Sequence, residues 1–316
     1  MNKTQAAFEV VESNLENLLE KLGSPETESV IRDWLKSASI FHKYSYNNQF
    51  FLALQAESRK ENLSNVASFN KWKKLGAHVL KGSKSYSVFF PVKYTLYELD
   101  SKGEPKLDAS GKKIPQLDIN GKPKEGMTFW VGPVFDVSQT NAKELGLIKE
   151  IDLSVEGTVG TDICAEIQAK TAEEFGVTFK NDSSMAAGGS YNYRTHTIKL
   201  KPSLANAGER LSVMFHEIGH MILHRSELQA GDLTYDRMHA ERGYREGEAE
   251  AFAYALSSRF GLETKSELYI ASWGNKVEDI RERMQKISKG LKTFCETVDI
   301  DKYFIELPAV EPSIEI

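Results

Sequence analysis

Residues 213–224 read VMFHEIGHMILH, and His216, Glu217, His220 and His224 interrupt an otherwise apolar stretch. The chain holds seven histidines, and three of them stand here at successive spacings of four. On an α-helix, residues i and i+4 lie about 40° apart around the axis and one turn apart along it. His216 and His220 then project side by side and offer two imidazole nitrogens to one cation. Glu217 is rotated beside them, where its carboxylate reaches a cation-bound water and not the cation itself. This is the H-E-x-x-H arrangement, whose chemistry is a zinc-polarised water with a carboxylate general base. Met214, Phe215, Ile218, Met221, Ile222 and Leu223 surround these groups and imply a largely buried helix. Buried imidazoles and a carboxylate left unpaired would cost several kcal/mol, and a bound metal removes that cost.

A catalytic zinc needs three protein ligands and a fourth position open to water. His224 continues the row, but it lies about 80° around the helix from His216 and two turns along, which would strain a tetrahedral site. The next helical segment, YREGEAEAFAYALSSRF, offers Glu246, Glu248 and Glu250. Glu248 shares a face with Phe252, Ala255 and Leu256, and that apolar face is expected to pack on the histidine helix. Glu248 is therefore the expected third ligand, with Glu246 and Glu250 towards the flanks and His224 beside the site. Two imidazoles and a carboxylate suit zinc, with manganese as the other candidate.

HEIGHMILH followed by EGEAEAFA resembles the zincin-type metallopeptidases, and within them the ImmA/IrrE-like group. The resemblance covers roughly residues 160–275, including LYIASWG beyond the second helix, and implies a mainly helical peptidase domain with a small sheet. No Gly-x-x-His continuation follows His220, which argues against a metzincin.

The surrounding elements follow from periodicity. Residues 5–22 and 26–38 read as helices broken at Gly23 and Pro25, with Ser24 as an N-cap, and YSYNNQFFLALQAES reads as a third helix. A short helix around Trp72 leads to the strand-like segments HVL and YSVFFPV. Residues 99–127, rich in Gly, Pro, Lys and Asp, read as a long exposed hairpin loop or a partly ordered insertion, and MTFWVGPVFDVSQT resumes strand character. Beyond them come the helix CAEIQAKTAEEFGV, the single strand SYNYRTHTIKLKP, long helices near 206–225 and 243–260, and a helical tail to about Val298. No internal repeat is visible. The fold class expected is α+β: a mixed α/β domain over residues 1–140, a linker over 141–157, and a zincin-like domain over 158–316. No apolar run approaches the ~18 residues of a membrane span, and the start lacks the features of a signal peptide. Cys164 and Cys295 are isolated, so no disulfide framework or cysteine-based zinc site is suggested. A cytoplasmic protein without a membrane partner is expected.

The net charge of −5 hides a basic segment: Lys36 to Lys93 holds ten Lys or Arg against two acids, Glu57 and Glu61. Within it lie FHKYSYNNQFFLALQ and SFNKWKKLGAHVLKGSKSYSVFFP, where aromatics interleave with lysines. Lysines track phosphates and rings stack on unpaired bases, so the segment suits single-stranded nucleic acid. The candidate contacts are Tyr44, Tyr46, Asn47 and Asn48 at a helix start, where backbone N–H groups also favour phosphate, and Trp72, Lys73, Lys74, Lys81 and Lys84.

YSYNNQ, FNKWKKLGAHVLKGSKSYSVFFP and VFDVSQT at 134–140 together resemble the N-terminal domain of ArdC-type antirestriction proteins, over about residues 30–140. That resemblance implies single-stranded DNA binding and protection of incoming DNA on plasmids and phages; the 99–127 insertion departs from the compact version. Three whole-chain functions stay open. The first is a mobile-element antirestriction protein that binds single-stranded DNA and carries a zinc metallopeptidase acting on an unidentified protein. The second is a DNA-binding factor whose metal is structural, and the third an ImmA-like protease that cleaves a repressor or host regulator. Intact Glu217 favours a working enzyme, because a structural site has no use for that carboxylate.

Overall fold

The computed structural model describes residues 3–20, 25–148, 158–204, 206–229, 242–262 and 277–304. Among these are eight α-helices and two three-stranded sheets, the α+β class expected. Residues 149–157 of the expected linker, the Gly23–Ser24 break and LYIASWG lie outside the described residues.

Helices α1 (Lys3–Glu20), α2 (Pro25–Ile40) and α3 (Tyr46–Arg59) precede the first sheet. Its strands are β1 (Val66–Ala67), β2 (Tyr86–Thr95) and β3 (Glu125–Asp136), in the order β1-β3-β2 and antiparallel throughout, with the short α4 (Phe69–Lys74) between β1 and β2. Strand β2 is an edge, and α3 closes part of it with side chains. The Asn48 amide accepts from the Phe89 N–H at 2.6 Å and donates to the Phe89 carbonyl at 2.7 Å. Seven residues on, the Gln55 amide does the same for Ser87, at 2.8 and 2.9 Å. Two helical turns thus match a two-residue strand repeat, and Pro91, which has no N–H, comes next along the edge.

The expected HVL strand reduces to one isolated bridge between Val79 and Thr140. VFDVSQT is a structural joint. Asp136 accepts from the backbone N–H groups of Ser64, Asn65 and Ser138 and so pins the loop before β1.

Residues 96–124 are ordered as three consecutive turns of one build, a repetition the sequence reading missed. Asp100, Asp108 and Asp118 each accept two backbone N–H groups through Oδ1, two and four residues ahead. Gly103, Gly111 and Gly121 each take a positive φ of 75–82° three residues after the aspartate. Eight residues separate the first two aspartates and ten the next two, so no fixed period announces the repeat.

The second part of the chain begins with α5 (Thr158–Phe175), followed by β4 (Thr178–Asn181), β5 (Gly189–Asn192) and β6 (Thr197–Leu200). The sheet order is β4-β6-β5, with β4 parallel and β5 antiparallel to β6. The single strand expected over 190–201 is a hairpin, because the Asn192 side chain accepts from the N–H groups of Arg194 and Thr195, both at 3.0 Å, and turns the chain. Helices α6 (Ala207–Gln229), α7 (Arg242–Arg259) and α8 (Val277–Val298) complete the fold. One hydrophobic cluster includes Val11, Trp34, Phe50 and Phe89 from the first part and Phe215, Phe252, Ile287 and Phe294 from the second.

Candidate metal centre

Helix α6 carries His216, Glu217, His220 and His224, and α7 crosses it closely. The Nε2 atoms of His216 and His220 lie 3.1 Å apart, and Glu246 Oε2 of α7 stands 3.4 Å from each. A tetrahedral cation with bonds of about 2.0–2.1 Å holds its ligand atoms about 3.3 Å from one another, so this triangle fits zinc. Two further contacts orient the rings. The Glu250 carboxylate takes the Nδ1 side of His216 at 3.0 Å, which leaves Nε2 for the cation. His220 Nδ1 meets His224 Nδ1 at 3.3 Å, and His224 Nε2 meets Glu248 Oε2 at 2.9 Å.

Glu248, the expected third ligand, is thus engaged elsewhere. It is buried, and it also receives Arg283 at 2.5 Å and Lys286 at 2.9 Å from α8. Glu246 and Glu250, one turn apart, face the histidines instead. Helix α7 is packed by α2, α6 and α8, and its buried residues run almost without a break from Gly247 to Ser257. An apolar neighbour therefore does not identify the side of α7 that faces α6. The readable sign of Glu246 was its i, i+4 pairing with Glu250, which puts both carboxylates on one face of α7. His224 stands beside the site, as expected.

The electrostatics agree with a cation site. Burial pulls the His216 pKa down, but Glu246, Glu250 and Glu217 outweigh it and hold the ring at about 10 without a cation. The same pairing with His216 and His220 drives Glu246 well below the usual carboxylate range. Burial lowers His224 to about 4, so it is neutral near pH 7 and can accept from His220 while donating to Glu248. Glu217 is 6% exposed, and burial raises its pKa against the pull of the two histidines. A cleft of about 680 Å³ opens over these groups, lined by Gly189, Ser190 and Tyr191 of β5 and by Val213, Arg245 and Tyr193.

The expected DNA contacts divide into two groups. Lys73, Lys74, Lys81 and Lys84 are exposed, and Asn47 is half-buried. The rings are turned inward. Trp72 is 1% exposed and donates to the Phe135 carbonyl at 2.9 Å. Tyr46 packs edge-on to Trp34, with its hydroxyl 3.8 Å from Met284 Sδ. The Tyr44 hydroxyl donates to the Val66 carbonyl at 3.2 Å. Asn48 serves the β2 edge. Trp72 packs with Ala67, Ala77, Val137 and Ala142, whereas Tyr44 and Tyr46 stay partly exposed with their hydroxyls engaged inside.

Residues 4–120 match the family described as the N-terminal domain of anti-restriction factor ArdC, and residues 170–257 match the IrrE N-terminal-like domain family. The chain is 25% identical over 320 residues to an uncharacterized protein of Bacillus anthracis, a match that covers 95% of this chain and 52% of that protein. The chain thus spans about half the length of that curated relative. It is similar to the metal-free crystal structure of the antirestriction ArdC protein from the R388 plasmid, with a TM-score of 0.47, 18% identity and coverage of 81% of this chain and 84% of that one. For the Mn(II)-bound structure of that protein the TM-score is 0.48 at 18% identity, with coverage of 95% and 98%. This chain joins an ArdC-type N-terminal domain to an IrrE N-terminal-like domain.

Proposed function

We propose that the chain is an antirestriction-type protein of mobile elements that binds single-stranded DNA through residues 1–140 and hydrolyses peptide bonds in residues 158–316. His216, His220 and Glu246 are its zinc ligands and Glu217 its general base. The observation that carries the enzymatic half is the ligand triangle of 3.1, 3.4 and 3.4 Å with the buried Glu217 beside it. A bound zinc would supply Lewis-acid activation of water and of a peptide carbonyl. Glu250 and His224 hold the two ligand rings in the tautomer that leaves Nε2 unprotonated. Glu217, buried beside the triangle, takes a proton from water and returns it to the leaving amine. Strand β5 is the edge of its sheet and lines the cleft, so an extended substrate can pair with its backbone.

The DNA-binding half rests on the exposed lysines of the N-terminal part and on its ArdC-type domain. The test of the enzyme is metal analysis of the purified chain and of Glu217→Gln, each then incubated with a fluorogenic peptide library. Both proteins should hold zinc, and only the wild type should cleave. Manganese is the second ion to load. A fully zinc-loaded wild type that cleaves nothing would leave the structural-metal reading in place.

A further inference from the structure

With Trp72 buried and Tyr44 and Tyr46 half-buried, their hydroxyls engaged inside, the lysines of the N-terminal part need other rings for single-stranded DNA to stack on. The β2–β3 ribbon carries others. Its register pairs Phe90 with Trp130, Val92 with Thr128 and Tyr94 with Gly126. Cross-strand partners share a face and successive residues alternate, so all six lie on one side of the ribbon. On the other side Phe8 of α1 stacks on Phe89 at 4.1 Å and meets Phe129 edge-on at 6.2 Å, which covers Phe89 and leaves Phe129 42% exposed. Nearer the core, the first side is covered too, where Tyr86, Val88 and Val134 pack with Phe41 and Leu52. Beyond Phe90 that cover ends. Tyr94 is 49% exposed and Trp130 59%, whereas Trp34 and Trp72 are fully buried.

We infer that this bare end of the ribbon, with Tyr94 and Trp130 as its rings, is the base-stacking platform for single-stranded DNA. The inference rests on the DNA-binding reading above and locates its stacking surface. Charge complementarity selects the ligand. Residues 80–95 and 122–135 hold five lysines and one acid, Glu125, which pairs with Lys93 at 2.9 Å. Lys122 and Lys124 stand just before β3 at the bare end, and Lys81 and Lys84 precede β2 beyond the covered stretch, all exposed. Phosphates meet lysines at both ends of the ribbon while the ring faces between them take bases. The two positions stand about 14 Å apart, four residues along the ribbon at ~3.3 Å each and one strand across at ~4.8 Å. Tyr94 is held in place by what lies under it: a Cβ on Gly126 would come 2.6 Å from Tyr94 Cζ, so the ring lies across the bare glycine backbone.

The experiment titrates the full-length chain with a labelled oligothymidylate and with an abasic strand of the same length. The wild type should bind the oligothymidylate about tenfold tighter or more, since base stacking contributes about 1–3 kcal/mol per base. Tyr94→Leu and Trp130→Leu keep apolar bulk without a ring face, and each should lose about tenfold on oligothymidylate and nothing on the abasic strand. Gly126→Ala should weaken binding in the same selective way by lifting Tyr94, while Tyr94→Phe should bind as wild type. Melting temperatures of these exposed-site variants check that the fold is intact. If the Leu variants bind oligothymidylate as the wild type does, or lose equally on both strands, the platform assignment is overturned while DNA binding itself stands. If the wild type binds neither strand, the DNA-binding reading fails as well.

Discussion

Gly219 of α6 lies directly against Ala249 of α7: a Cβ on Gly219 would stand 3.1 Å from both the Cα and the carbonyl oxygen of Ala249. Both neighbours are backbone atoms of a packed helix and cannot swing aside. This contact sets how closely α6 and α7 cross, and therefore whether Glu246 and Glu250 reach the histidines. Gly219→Ala should destabilise the protein by about 1–3 kcal/mol, the usual range for overpacking a core. It should also weaken zinc binding although no ligand has changed. Chemical denaturation and a chelator competition measure the two effects, and unchanged zinc affinity would show that the helix spacing does not set the site.

Glu246 and Glu248 should fail in different ways. Glu246→Gln removes a half-exposed carboxylate of the triangle, so the zinc-free protein should lose less stability than Glu248→Ala does, while zinc no longer raises its stability. Glu248→Ala leaves His224, Arg283 and Lys286 without their shared carboxylate. It should lower the stability of the zinc-free protein by about 3 kcal/mol. Thermal melts with and without zinc separate the cases. Zinc stabilisation retained by Glu246→Gln and lost in a well-folded Glu248→Ala would return the ligand role to Glu248.

His42 gives a pH dependence away from the metal centre. Its ring is 1% exposed, facing Asp301 with Arg259 and Lys43 close by. Burial lowers its pKa to about 4, against the opposing pull of Asp301. The unfolded chain, with an ordinary histidine near 6.5, binds more protons than the folded one between these values. Stability is therefore lost as pH falls from about 6.5 to 4, by about 2 kcal/mol between pH 7 and 5. Asp301 burial is outweighed by Arg259, His42 and Lys43, which hold its pKa at about 2, so its own contribution disappears only below the ordinary aspartate range. Urea unfolding at pH 7 and pH 5 should show a smaller drop for His42→Gln than for wild type. Equal drops would mean that His42 takes up its proton without unfolding the chain.

What could be read from the sequence followed the range of each signal. The i, i+4 histidines are a local pattern on one helix, and α6 forms where that pattern places it. Choosing Glu246 over Glu248 needed the side of α7 that meets α6, and a helix buried against three neighbours does not declare it. The rings misled for a related reason. Tyr46 and Trp72 have the residue types of a stacking site, but lysines beside a ring do not tell which way the ring points. Asn192 turned an alternating segment into a hairpin through its side chain alone, which alternation cannot register. Residues 96–124 kept their Asp-x-x-Gly turns out of sight because the spacing between them is uneven.

The buried Trp72 and the exposed lysines near it give opposite expectations for DNA binding. Trp72→Ala removes a fully buried indole and its hydrogen bond to Phe135, and it should cost about 3–5 kcal/mol of stability. Any affinity it loses should track the unfolded fraction and return under conditions that restore folding. Lys73, Lys74, Lys81 and Lys84 are exposed, so replacing all four with Gln should leave the melting temperature near that of the wild type. Each phosphate neutralised on a single strand contributes about −0.7 to the slope of log affinity against log salt, so losing these charges should flatten the slope by up to about 3. The measurement is a salt titration with labelled single-stranded and duplex DNA of the same length. A quadruple variant with the wild-type slope would move the phosphate track away from α4 and the β2 approach, leaving Lys122 and Lys124 as the cations to replace next.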